Sequence, residues 1–313
     1  MSQTDCCKLN NPITRPKKVA AIMDNSEKLT LDNRFVQVAR RASIIAKTSD
    51  PWIRWHAYLT RWTEDACFAI QELMEEMTLP AAALDVATGT GTPVLDLAKA
   101  WPQCRFEACD IATESIEIAR LLAQEEKLPH ISFKVCDAEV LDYPDASFGL
   151  LTCFFSLMYL KHPSRAIDQF LRVLRPEGHM AITTWTGDNQ LFRLVKDTFA
   201  MADHKYPDGQ DPFMFSDSQA LKTLFDDKPV SNLRVMERKT VLNWEGNEQE
   251  LWAFFKDCNP IINTLLSALS ADERQEKEQQ IYSLLSGFKT GGNILFEADM
   301  LVCSVQKTSL PLS

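Results

Sequence analysis

The chain reads as an α/β protein with a parallel sheet, helices on both faces and helical lid elements around it. Three observations predict this. Between residues 81 and 185, apolar runs of strand length alternate with helical periodicity in βαβα order, the pattern of parallel strands joined by helical crossovers. The run Leu84-Asp85-Val86-Ala87-Thr88-Gly89-Thr90-Gly91-Thr92-Pro93 leaves an apolar strand, makes a Gly-x-Gly turn and enters a helical pattern at once. Such a turn brings backbone N–H groups and a helix N-terminus up to a nucleotide-like ligand. Two later apolar runs each end near an acid, Asp110 and Asp137.

Taken in order, residues 1–30 are polar and Pro-containing and are expected as a flexible tail. Residues 31–80 are expected as an N-terminal helical lid, because Trp52, Trp55, Leu59 and Trp62 fall on one helical stripe. The cofactor-binding core is placed at 81–185. Its strands are expected at 82–88, 105–111, 131–137, 148–156 and 178–185, and its helices at 92–101, 113–127 and 163–174. A lid insertion follows at 186–230, with helices at 189–204 and 217–226 around the turn-rich segment 206–212. The remainder, 231–313, is expected to complete the core. It offers a strand at 233–244, helical stretches at 247–258 and 260–288, and a last strand at 293–306 after the Gly291-Gly292 break.

A net charge of −10 over 313 residues provides no basic footprint, so a nucleic-acid partner is not expected. Nine cysteines lie scattered without a C-x-x-C pair, which reads as free thiols of a reducing compartment. No apolar run approaches the ~20 residues that span a bilayer, and no signal-peptide pattern opens the chain. A cytoplasmic protein without integral membrane association is the expectation.

The glycine turn narrows the ligand. The third position of a dinucleotide fingerprint is Val94, where close helix–strand packing calls for glycine. Asp85 at the strand end would repel a pyrophosphate and suits a ligand carrying an ammonium and a sulfonium. The turn therefore fits S-adenosylmethionine. Asp110, about twenty residues after the glycines, is placed to accept from ribose hydroxyls, with a helix N-cap or a solvated strand end as the alternative. Asp137 is placed to accept from the exocyclic amine of adenine.

For catalysis, His56 within the Trp-rich helix is the candidate general base where the acceptor arrives protonated; a packing histidine is the plainer reading. His162 stands next, at the start of a helix, and His130, His179 and His204 have no supporting context. Trp52, Trp55 and Trp62 equally fit core positions of an amphipathic helix. Phe154, Phe155, Met158 and Tyr159 either line an apolar pocket or pack beneath a lid. No His/Cys cluster has ligand spacing, so no metal is expected.

The segments LDVATGTG, ACDIATESIEIAR, VCDAEVLDYPDASFGLLTC and FLRVLRPEGHMAITTW resemble the successive motifs of class I S-adenosylmethionine-dependent methyltransferases. They are most similar to the ubiquinone/menaquinone-biosynthesis-type (type 11) group, over roughly residues 50–310. The resemblance implies a seven-stranded, mostly parallel, doubly wound sheet whose last strand is antiparallel. It places Asp85, Ala87, Thr88, Gly89 and Gly91 around the methionine moiety, Asp110 and Ile111 at the ribose, and Asp137 with Ala138 at the adenine. Phe154 completes that set. Trp52 or Trp55, with Phe155, Met158, Tyr159 and Phe213, falls on the substrate and lid side. Ala87 stands where the family often has glycine, and Pro176-Glu177-Gly178 replaces its usual Pro-Gly-Gly. Cys153-Phe154-Phe155-Ser156 lacks both the Asn/Asp-Pro-Pro-Tyr motif of amino-methylating DNA enzymes and the acidic ligands of the metal-dependent catechol group.

The expectation is methyl transfer from S-adenosylmethionine to an O, N or C atom of a small molecule, releasing S-adenosylhomocysteine. A protein of the same fold running a reaction such as a cyclisation, or serving as a non-catalytic subunit, is the alternative. Neither substrate nor oligomeric state is specified.

Overall fold

The computed structural model describes residues 48, 53, 66, 67, 70–72, 78–187, 189–199, 211, 213–244, 246–258 and 260–309. All of them fall in one compact unit, Ile44–Ser313. The expected tail at 1–30, and Trp52, Trp55, His56, Trp62 and His204, lie outside the described residues.

The core opens with β1 (Ala82–Val86), α1 (Thr92–Ala100), β2 (Arg105–Asp110), α2 (Thr113–Glu125) and β3 (Ile131–Val135). It continues with β4 (Phe148–Phe154), a 3-10 turn at Leu157–Tyr159, α3 (Pro163–Val173) and β5 (Leu174–Trp185). Every residue of β4 is buried. It is covered on both faces, which is why its sequence is a continuous apolar run rather than an alternating one. In α3 the buried Ala166, Ile167, Phe170 and Leu171 make a single stripe, so the helix has one face to give the sheet.

Next come α4 (Gln190–Thr198), α5 (Ser218–Thr223), β6 (Val230–Arg238), β7 (Val241–Trp244), α6 (Glu248–Cys258), α7 (Pro260–Ser267) and α8 (Ala271–Ser286). The chain closes with β8 (Lys289–Thr290), β9 (Asn293–Glu297) and β10 (Met300–Lys307). The main sheet has seven strands in the order β3-β2-β1-β4-β5-β10-β6. The first five are mutually parallel, and β10 runs antiparallel to both β5 and β6. Strand order reverses between β1 and β4, and in open α/β sheets ligands bind at such a switch, beyond the carboxyl ends of the strands.

Three expectations need correction. The single strand expected at 233–244 is two, β6 in the main sheet and β7 in a second sheet of order β7-β9-β8. The last strand at 293–306 divides likewise into β9 and β10. The two runs pair with each other on both sides of the break, Arg238 with Met300 and Val241 with Glu297. At the corner the Ala298 N–H donates to the Thr240 carbonyl at 3.0 Å. One long ribbon thus bends from one sheet into the other. The third correction is the helix at 260–288, which breaks after Ser267. Ser270 caps α8 reciprocally with Glu273, a Ser-x-x-Glu signature that satisfies two otherwise orphaned N–H groups.

Boundaries shift elsewhere. β5 begins at Leu174 rather than 178, because Leu174 pairs with Phe148 before the register slips to His179 against Leu150. Glu177, at φ +60°, takes the turn between these pairings.

Gly91 is the residue that lets α1 sit against its neighbours. It has φ +82°, and a Cβ there would lie 3.1 Å from Ala119 Cβ in α2 and 3.3 Å from the Phe133 ring in β3. Gly89 has φ +56° but open space around it. Gly91→Ala is therefore expected to cost about 1–3 kcal/mol from crowding and backbone strain together. Gly89→Ala should cost less, about 1 kcal/mol of strain alone. Urea unfolding of both variants checks the order; equal losses would contradict it.

Candidate cofactor site

The site begins with a carboxylate in an apolar place. Asp85 is the next-to-last residue of the buried strand β1 and is 1 % exposed. Its Oδ1 accepts from the Thr152 hydroxyl on β4 at 2.5 Å, the residue opposite it in the parallel register. Burial pushes the Asp85 carboxyl up to about 7, against the hydrogen bonds that hold it down. The other oxygen, Oδ2, is buried without a well-formed hydrogen bond among the described residues, as is the hydroxyl of Thr90; the buried Thr88 hydroxyl stands close enough to the carboxyl to help hold it down.

After β1 the chain turns through three residues with positive φ, Ala87 at +54°, Gly89 at +56° and Gly91 at +82°. The turn is tied to β2 twice. The Thr88 N–H donates to the Cys109 carbonyl at 2.9 Å, and the Gly89 N–H donates to Asp110 Oδ2 at 2.8 Å. Asp110 Oδ1 in turn accepts from the Ala112 N–H at 2.9 Å. Burial raises this carboxyl too, with the N–H groups of Ala112, Gly89 and Ile111 opposing the rise. Asp110 is thus a brace of the glycine turn, a role not read from the sequence. Each of its oxygens retains acceptor capacity for a hydroxyl.

Ile111, next to this brace, is 70 % exposed. Asp137 is exposed, its Oδ1 accepting from the Glu139 N–H at 2.8 Å, while Ala138 is buried. The strand ends therefore present, side by side, a polar turn, an aliphatic face and a solvent-facing acid.

On the other side of the switch, Phe154 and Phe155 are buried at the end of β4. Phe155 has φ +48°, and its N–H donates to the Thr183 carbonyl at 3.0 Å. Its ring stacks on Trp185 with centroids 4.0 Å apart. Phe192 packs edge-on to Phe213 at 5.0 Å and lies 6.5 Å from Trp185. The Thr184 hydroxyl, donating to the Phe215 carbonyl at 2.9 Å, anchors this part of the insertion to β5. Met158 is 1 % exposed and packs in the main core, with Tyr159 partly buried beside it. Ser156 bridges the two halves: its single hydroxyl proton is shared between the Phe154 carbonyl at 2.8 Å and the Ala87 carbonyl at 3.2 Å.

Four residues of the expected lid also reach this end of the sheet. The Cys67 thiol donates to the Pro93 carbonyl at 3.5 Å, at the start of α1. The Thr48 hydroxyl donates to Glu114, at the start of α2. Ile53 packs with Leu95, Ile118 and Leu122, and Glu72 pairs with Arg238 at 2.6 Å. The histidines divide differently. His130 sits against the Ala98 carbonyl at 2.9 Å, at the opposite end of the sheet. His162 is exposed, and its backbone N–H donates to Glu139 at 2.8 Å. Among the described residues no His/Cys/Asp/Glu group could hold a metal ion, and no helix is long and apolar enough to cross a membrane.

Thr152 and Ser156 are the site residues that sequence reasoning missed. Their signal is a hydroxyl in an otherwise apolar run, but its partner depends on a strand register that no local pattern reveals.

The residues present fit S-adenosylmethionine on their own geometry. Buried polar atoms are ordinarily paired. Here Asp85 Oδ2 lacks a well-formed hydrogen bond, and Gly89 in the turn that follows has open space over it, a demand that an ammonium group and its amino-acid backbone would meet. The aliphatic face at Ile111 suits a flat base.

Residues 81–229 match a family described as a methyltransferase domain. A demethylmenaquinone methyltransferase of Deinococcus radiodurans is 35% identical over 103 residues, 33% of this chain and 42% of that one. A ubiquinone/menaquinone biosynthesis C-methyltransferase UbiE of Pseudomonas fluorescens is 32% identical over 122 residues, 38% and 48% of the two chains. The matched part is thus less than half the length of these curated relatives. Among solved structures, the YcgJ protein of Bacillus subtilis superposes with a TM-score of 0.52 at 19% identity, covering 78% of this chain and 99% of that one. A putative methyltransferase of Bacillus halodurans gives 0.50 at 16%, covering 77% and 99%. At these identities the structural likeness is one of fold.

The buried acid has a consequence for the ligand-free protein. Below pH ~4 Asp85 is protonated in both folded and unfolded chains. As pH rises toward about 7, the unfolded chain releases this proton while the folded one retains it, so stability falls. Between about pH 5 and about pH 8 the loss should be about 2–3 kcal/mol. Asp85→Asn is expected to remove that share of the pH dependence and to stabilise the ligand-free protein at the higher pH. Urea unfolding of wild type and variant at both pH values is the check; parallel pH dependences would contradict it.

Proposed function

We propose that this chain, whose residues 81–229 match a methyltransferase-domain family, is an S-adenosylmethionine-dependent enzyme that methylates a small molecule. The observation that carries this reading is the buried Asp85, with one oxygen pinned and the other orphaned, at the switch point of the sheet.

S-adenosylmethionine, when bound, supplies an activated methyl group on a sulfonium that is already a good leaving group. What remains for the protein is orientation and exclusion of water. Asp85 would take the ammonium through Oδ2, and binding a cation there favours the charged carboxylate that burial disfavours. The glycine turn lets the backbone approach the methionine portion closely. Asp110 accepts from ribose hydroxyls while bracing that turn, and Asp137 takes the adenine amine beside Ile111. The aromatic group Phe155, Trp185, Phe192 and Phe213 forms the dry wall on the acceptor side of β4 and β5.

The acceptor is proposed to be small and in part apolar. The chain is acidic overall, and the names of the relatives point to quinone-like rings, which an aromatic wall accommodates by stacking. His56, Trp52 and Trp55 stay with the proposed lid, His56 as general base for a protonated acceptor. In-line transfer needs no metal, and none is proposed.

Calorimetry with S-adenosylhomocysteine tests the cofactor reading. Wild type is expected to bind, and Gly89→Val to remain folded yet lose binding, because its side chain would fill the space left for the ligand. A folded Gly89→Val with normal affinity would sink the assignment. Methyl transfer, assayed against candidate acceptors, should be undiminished in EDTA; loss restored by magnesium would overturn the metal-free mechanism.

A further inference from the structure

We propose that Thr152 is a positioning residue of the cofactor site, holding one oxygen of Asp85 so that the other is the one offered to a cationic ligand. The inference rests on the cofactor reading above and adds to it a residue on a different strand.

The geometry is specific. A carboxylate at the end of a buried strand has two oxygens and a rotatable bond. Left alone, Asp85 would place either oxygen toward the turn. Thr152 removes that freedom: it is 2 % exposed, it stands opposite Asp85 in the β1–β4 pairing, and its hydroxyl donates to Oδ1 at 2.5 Å. Because β4 is buried along its whole length, no water competes for that hydroxyl. The hydroxyl is the polar group of an apolar run, Phe148 to Phe154, where valine would pack as well and carry no cost of burying an oxygen. An isolated hydroxyl there makes physical sense when it serves the acid it faces.

The charges around Asp85 explain why one hydrogen bond matters. From β2 it faces the Asp110 carboxylate and, further back, the thiol of Cys109. From β4 it faces the thiol of Cys153 beside Thr152, and from the turn the hydroxyl of Thr88. Among the described residues, no cation appears among the charged groups that act on it. Ionisation is therefore opposed by burial and by Asp110, and the principal aid the protein itself supplies is Thr152. A ligand ammonium completes the pair from the other side. Thr152 thus governs both the direction of the charge and the ease with which it forms.

The test compares two ligands on the full chain: S-adenosylhomocysteine, which carries the ammonium, and 5′-methylthioadenosine, which lacks it. Affinities are measured by calorimetry between about pH 5.5 and about pH 8.5 for wild type, Thr152→Val, Thr152→Ser and Asp85→Asn. Thr152→Val should weaken S-adenosylhomocysteine about tenfold near neutrality and leave 5′-methylthioadenosine unchanged. It should also move the pH at which binding is half lost upward, because the acid then ionises less readily. Thr152→Ser should restore both affinity and profile. If Thr152→Val binds S-adenosylhomocysteine with unaltered affinity and profile while Asp85→Asn does not, the positioning role is wrong and the cofactor reading stands. Equal weakening of both ligands would reduce Thr152 to a packing residue and overturn the proposal. Failure of wild type to bind either ligand would bring down the cofactor reading itself.

Discussion

A carboxylate buried at the centre of the sheet is the constraint on which the rest of this site depends. Asp85 is the next-to-last residue of β1, between two parallel neighbours, where water is absent and charge is expensive. The protein places it there nonetheless and tunes it from β4. On β2, Asp110 spends its oxygens on the N–H groups of Gly89 and Ala112. The two acids have opposite tasks. One holds the turn in shape through the backbone, and the other is left incomplete where the turn opens.

The C-terminal third supports this arrangement from the far side. β10 slots antiparallel between β5 and β6, and the second half of β5 carries a buried Trp185 and two buried threonines, with a third, Thr186, just beyond its end. Those threonines are committed to distinct partners: Thr183 accepts from Phe155, Thr184 donates to the Phe215 carbonyl, and Thr186 donates to Asp299. They fix the end of β4, the insertion and the ribbon corner respectively. The bend at Thr240 and Ala298 then carries the ribbon out of the main sheet into a second one, beside which α4 and α6 pack.

What could be read from the sequence follows from how local each signal is. The strand–turn–helix of residues 82–100 and the two acids at strand ends rest on spacing within one segment, and the structure brings all of them to one edge of the sheet. The break at Ser270 is equally local, a capping box set inside a helical pattern whose periodicity agrees on both sides of it and so conceals it. The divided strands at 233–244 and 293–306 were not legible in the same way. Alternation persists through the corner, and only the pairing between two runs sixty residues apart reveals the change of sheet. Thr152 and Ser156 belong to this second kind, since their meaning lies in the residues opposite them. Asp110 falls between the two: its position was legible, but its bond to Gly89 was not.

Ala87 brings these threads together. The resembled family often has glycine there, and in this chain the residue adopts φ +54°, a conformation that costs an L-residue ~1–2 kcal/mol. The strain persists because the surroundings leave the chain no alternative. Thr88 is held to β2 through the Cys109 carbonyl, and the Ala87 carbonyl itself accepts from the Ser156 hydroxyl, two residues beyond β4. The peptide that begins the turn is thereby clamped between the strands on either side of the switch point. Phe155, the neighbour of that serine, is itself held at positive φ by its bond to Thr183. Two strained residues thus follow the ends of the neighbouring strands β1 and β4, one beside a residue bonded to β2 and the other bonded to β5. Strain held in this way keeps the turn in one shape before a ligand arrives, which lowers the ordering cost that binding would otherwise carry.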